Sequence, residues 1–113
     1  MEEDHRPWGY YQVLSDEPDH KVKRIVVYPG KRLSLQKHEK RDEHWYVIAG
    51  MALVTLDDDE VKVEKGESVN IKRGTLHRVM SVGENNLAFI EVQTGEYFGE
   101  DDIERIEDDF GRT

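Results

Sequence analysis

The chain has 113 residues, no cysteine and a formal charge of −9 from 16 Lys and Arg against 25 Asp and Glu, a size that suits one domain with one core spanning residues 1–113. The lack of cysteine excludes disulfides and thiolate metal sites, and the acidic balance argues against nucleic acid or an anionic membrane as the partner. Hydrophobic and charged residues each make up 36% of the chain, so the apolar positions must be placed economically, as alternating strands place them.

The chain starts Met-Glu-Glu-Asp and no apolar run follows; neither a signal peptide nor a membrane span is expected, and cytoplasmic residence is the default. From Tyr10 onward, short stretches rich in Val, Ile, Leu, Tyr and Trp alternate with turn formers, which predicts strands at residues 10–14, 22–28, 32–38, 43–49, 52–56, 61–64, 68–71, 77–81 and 87–93. The breaks, among them Pro29-Gly30, Gly50, Lys65-Gly66 and Arg73-Gly74, supply residues that turns need. Short strands this closely spaced predict an all-β antiparallel sandwich or barrel. After Gly99 the pattern changes: Ile103, Ile106 and Phe110 lie three and four apart, which predicts a short helix from Asp101 or Asp102, or else a solvated acidic tail. No internal repeat or linker is present.

Alternation along a strand puts Arg32, Ser34, Gln36 and His38 on one face and Leu33, Leu35 and Lys37 on the other. Glu43 opens the next strand after a short loop, so the two strands are hairpin neighbours. Gln36, His38 and Glu43 can converge from them, and His77, behind the Arg73-Gly74 turn, can close the group. Imidazole nitrogen, carboxylate oxygen and amide oxygen suit a borderline divalent ion: zinc first, with iron, manganese, cobalt and nickel also compatible. The competing reading is a polar strand face turned to water.

These residues resemble the two motifs of the cupin superfamily, whose fold is a double-stranded β-helix or jelly-roll barrel. Gly30, Gln36, His38, Glu43 and Gly50 stand at the spacings of the first motif, and Gly66, Gly74 and His77 at those of the second. Gln36 replaces the first motif's leading His, Lys72 replaces Pro and Ser81 replaces Asn. Further blocks are similar to the C-terminal domain of type II mannose-6-phosphate isomerases: Arg6-Pro7-Trp8-Gly9, Pro29 to Gln36, Arg41-Asp42-Glu43-His44-Trp45, Ile90 to Gly95 and Gly99 to Ile103. That family also carries Gln at the position of Gln36. In many of its members a guanylyltransferase domain precedes this one; no Gly-rich nucleotide-binding segment is seen here, so GDP-mannose synthesis is not expected.

The resemblance implies interconversion of mannose 6-phosphate and fructose 6-phosphate, or isomerisation of a related sugar phosphate. Such chemistry needs an electrophile at the reacting oxygens, a base between C1 and C2, and a cationic seat for phosphate. Arg32 and Arg41 are candidates for the seat because guanidinium matches phosphate geometry; the alternative for both is a solvated surface charge. Ser34, on the ligand face, and Gln93 are further candidates for substrate binding. Glu91 shares a strand face with Gln93 and Phe89 and is the candidate base, the alternative being an outward-facing surface Glu with Lys23 or a metal-bound water serving instead. His44 should face away from the site, His5 and His20 carry no signal, and Trp8 and Trp45 are expected in the core. Two other classes remain open: a metal-bearing cupin that binds a sugar or small acid without turnover, and a cupin dioxygenase. A homodimer is expected, with residues 6–14 the candidate for exchange between copies.

Overall fold

The computed structural model describes residues 2–109. Its strands are β1 (Asp4–Arg6), β2 (Gly9–Glu17), β3 (His20–Val27), β4 (Leu35–His38), β5 (Arg41–Ala49), β6 (Met51–Leu56), β7 (Asp59–Glu64), β8 (Ser68–Ile71), β9 (His77–Ser81), β10 (Leu87–Gly95) and β11 (Ile103–Glu107). They build two antiparallel sheets, one in the order β1-β2-β3-β10-β5-β8 and the other β11-β4-β9-β6-β7. The core lies between them: Val27, Val47, Ile71, Leu87 and Phe89 come from the first sheet, Ala52, Val54, Val63 and Val79 from the second. Each of the larger ones contributes about 1.5–3 kcal/mol by leaving water. Among the described residues no helix is long and apolar enough to cross a membrane.

Turn chemistry sets the register. Leu56 pairs with Asp59, leaving a two-residue connection in which Asp57 takes a positive φ of 53°; its carboxylate also accepts a hydrogen bond from the Leu76 amide at 3.0 Å. Gly50 joins β5 to β6 at φ +80°, and a Cβ there would sit 2.6 Å from the Asn86 carbonyl oxygen, so only glycine fits this corner.

β4 and β5 are not the hairpin neighbours expected: they belong to opposite sheets, so Gln36 and His38 meet Glu43 across the barrel and not along one sheet. Three further expectations change. The strand foreseen over residues 32–38 is regular only as β4; before it, Arg32 forms an isolated bridge with Met80, and the Gly30 and Leu33 amides bond to the Ser81 and Val79 carbonyls. The N-terminal strands are longer than foreseen, β2 pairing with β3 and β1 folding back upon β2.

The third change concerns the predicted C-terminal helix, which is instead a single 3₁₀ turn (Glu100–Asp102) followed by β11. Two causes act together. The Asp102 carboxylate accepts the Glu39 and Lys40 amides at 3.2 and 3.1 Å, fastening the segment to the β4–β5 turn. The open edge of β4 then offers a ladder that a short helix could not satisfy, and Ile103, Glu104 and Arg105 pair with His38, Lys37 and Gln36. Phe110, the third residue of the helical reading, lies outside the described residues.

Candidate metal centre

The site follows from strand alternation combined with register. Along β5, Arg41, Glu43, Trp45 and Val47 are all buried, and along β10, Phe89, Glu91 and Gln93 are. Pairing of Glu43 with Gln93 and of Trp45 with Glu91 brings the polar members of both strands to one level. From the opposite sheet, Gln36 pairs with His77. Potential ligand atoms of His38, Glu43 and His77 all lie within 4.8 Å of one another, and all three residues are buried.

Each group is held by its neighbours. His38 Nε2 lies 3.0 Å from Glu43 Oε2 and His77 Nε2 4.0 Å from Glu43 Oε1. His77 Nδ1 donates to the Thr75 carbonyl at 2.9 Å, which fixes the tautomer and leaves Nε2 with its lone pair facing the cluster. The Trp45 indole N–H donates to Glu43 Oε1 at 3.0 Å and Arg41 Nε to Oε2 at 3.3 Å. Gln36 spends its amide nitrogen on Ser34 Oγ at 2.9 Å, so its carbonyl oxygen is the atom left for ligation. His38 Nδ1 is buried without a hydrogen-bond partner, so this imidazole meets its surroundings through Nε2 alone. Two imidazole nitrogens, one carboxylate and an amide oxygen fit a borderline divalent cation and do not select among such ions.

The electrostatics agree with that fit. Burial penalises a charge on Glu43, but the His38 hydrogen bond and the charges of His77, His38 and Arg41 outweigh it and hold the carboxyl well below the usual range. Burial pushes the His77 imidazole down despite attraction to Glu43, which favours the neutral, ligating form. Glu91 goes the other way: burial, then the charge of Glu43, pushes its carboxyl up to about 8. Gln93 Nε2 donates to Glu91 Oε1 at 2.6 Å.

Most residues expected at the site line one cavity: Ser34, Gln36, His38, Arg41, Glu43, His77, Glu91 and Gln93. Arg41 is a buried strand residue, not a solvated loop charge. Arg32 is the exception. It lies outside the cavity lining and grips Asp109 through two hydrogen bonds of 2.7 and 2.8 Å, because the irregular backbone before β4 breaks the alternation that would have aimed it inward. His44 meets Asn70 on the outer side of β5, while Trp8 and Trp45 are core residues that also wall the cavity. Arg6, Arg78 and Arg105 line it as well, and sequence reasoning missed all three. For Arg105 a signal existed: Ile103 and Arg105 alternate as inward strand residues do.

Comparison with known proteins agrees first on the fold. A Klebsiella pneumoniae protein with a double-stranded β-helix domain superposes with a TM-score of 0.76 at 21% identity, over 84% of each chain. Residues 1–108 match the family described as mannose-6-phosphate isomerase C-terminal, and the chain belongs to that family. The alginate biosynthesis protein AlgA of Pseudomonas aeruginosa is 48% identical over 109 residues, 96% of this chain and 23% of its own length. The mannose-1-phosphate guanylyltransferase of Escherichia coli is 44% identical over 108 residues, 96% of this chain and again 23% of its own. The chain thus spans about a quarter of the length of these curated relatives.

Proposed function

We propose that the chain is a metal-dependent sugar-phosphate isomerase, acting in the cytoplasm on mannose 6-phosphate and fructose 6-phosphate. The observation that carries this reading is the pairing, in one buried cavity, of the His38–Glu43–His77 cluster with a second carboxylate, Glu91, in a chain of the mannose-6-phosphate isomerase C-terminal family. Gln36, His38, Glu43 and His77 would hold the ion, which we take to be zinc; iron, manganese, cobalt and nickel would also accept this donor set. When bound, a divalent cation supplies positive charge against the sugar's reacting oxygens.

The remaining roles fall to the protein. Glu91, buried beside the cluster, is the candidate group for moving the proton between C1 and C2, and Gln93 holds it in place. Arg41 steadies Glu43 and adds positive charge at the floor of the site. Ser34 fixes the Gln36 amide and, with Gln93, offers hydrogen bonds to sugar hydroxyls. Trp8 and Trp45 exclude water from one wall.

The test is a coupled assay of the metal-analysed protein with mannose 6-phosphate, before and after chelation and with His77→Ala. Turnover lost on chelation, restored by metal and absent from the variant supports the reading. Absence of turnover with stoichiometric metal bound sinks it and favours a cupin that binds without catalysis.

A further inference from the structure

A sugar phosphate brings a dianionic group that must find positive charge in an acidic protein, and most cations around the cavity are already engaged. Arg41 is committed to Glu43. Arg78 donates to the Leu33 and Glu107 carbonyls at 2.8 and 3.3 Å. Arg6 pairs with Asp4, and Lys23 lies 4.5 Å above the Tyr11 ring, in register with Glu91. Arg105 differs: it lines the cavity, its Nε is buried with no hydrogen-bond partner, and no ion pair ties it to any described residue. A guanidinium N–H in that state lacks a ligand that the fold itself does not provide.

Its position is as telling. Gln36 pairs with His77 on one side and with Arg105 on the other, so the three residues form one row across β9, β4 and β11. Residues directly opposite in an antiparallel ladder point to the same face, with Cβ atoms about 4.5–5.5 Å apart. Arg105 therefore extends the row of metal-ligand candidates outward by one strand. Immediately after it the pairing shifts, Glu107 facing Leu35, which leaves Ile106 as the extra residue of a bulge; bulges of this kind re-aim neighbouring side chains.

We infer that Arg105, carried by the C-terminal edge strand, is the seat for the substrate's phosphate, beside and not among the metal ligands. The inference rests on the sugar-phosphate reading of the cavity and takes over the role that the sequence suggested for Arg32. Its chemistry is that of a planar fork of donors meeting a tetrahedral dianion, for which lysine is a poorer match.

Arg105→Ala and Arg105→Lys are compared with wild type and with Arg24→Ala, a loss of the same charge at an adjacent level of β3 outside the cavity lining. Melting temperature and zinc stoichiometry are checked on each. The expected result is a KM for mannose 6-phosphate raised about tenfold to a hundredfold in the alanine variant and less in the lysine variant, with kcat changed much less and zinc content unchanged. Arg24→Ala should leave KM where it was. In parallel, binding of inorganic phosphate to the zinc-loaded protein is followed by calorimetry, a readout independent of turnover. Phosphate binding present in wild type and lost in Arg105→Ala upholds the seat even if no isomerisation is found. An unchanged KM, or phosphate binding that survives in Arg105→Ala or is absent from wild type, overturns it.

Discussion

Strands β5 and β10 run side by side, and their inward residues change character at the same level. Toward one end of the barrel Val47 pairs with Phe89; toward the other, Trp45 pairs with Glu91, Glu43 with Gln93, and Arg41 with Gly95. The second sheet follows suit, with Val79 opposite Val54 at one level and His77 beside Gln36 at another. All of these inward side chains except that of Gln36 are deeply buried, yet the two ends contribute oppositely to stability. The apolar end gains from every area it hides, whereas buried ions at the polar end recover at best most of their desolvation. Register alone thus sorts one continuous interior into a part that holds the fold and a part retained for its chemistry.

The sharpest way to break that division is Glu43→Gln, which removes the only carboxylate among the proposed ligands. Metal stoichiometry measured after dialysis should collapse and the proposed isomerisation should fall by about 100-fold, with the far-ultraviolet spectrum preserved. Phe89→Ala attacks the other end: denaturant unfolding should show a loss of about 3–5 kcal/mol, while the fraction still folded should bind added divalent metal as the wild type does. Equal damage to metal binding and stability by both changes would refute the division. Asp102→Ala should cost about 1–2 kcal/mol through two orphaned backbone amides and should raise KM more than it lowers kcat, because it loosens β11 and leaves the ligands in place.

The smallest effect concerns Asp109. The Arg32 hydrogen bond holds its carboxyl below the ordinary value of 3.8. A depressed folded-state value means the pair stabilises fully above pH 3.8 and loses its contribution as pH falls through the lower folded-state value. Thermal melts of wild type and Asp109→Asn should therefore differ slightly at pH 7 and converge in strong acid, the difference being modest for a pair this exposed.

The strands of the barrel were legible because they rest on local information, alternation within a strand and glycine turns at fixed intervals; the His38–Glu43–His77 group was legible through motif spacing, although the expected hairpin is not what assembles it, since His38 and His77 face Glu43 from the other sheet. Arg32 was misread because alternation was carried backward through residues 32–34, where bonding to β9 replaces a regular strand. The tail was misread for a different reason. Ile103 and Ile106 fall at helical spacing, but the decisive influence is the unpaired edge of β4, which appears only once the barrel has closed. Arg105 was lost with it, since a residue assigned to a helix or a solvated tail cannot be placed on an inner sheet face.

β11 has one neighbour, β4, and β4 itself holds only a short ladder with β9. Amide protection should follow that asymmetry: the protons of Ile103–Glu107 should exchange with solvent through local opening, well before those of β5 or β10, each clasped on both sides. The wall of the cavity that carries Arg105 is thus the one held by a single ladder, whereas Glu43, Glu91 and Gln93 sit on strands held from both sides.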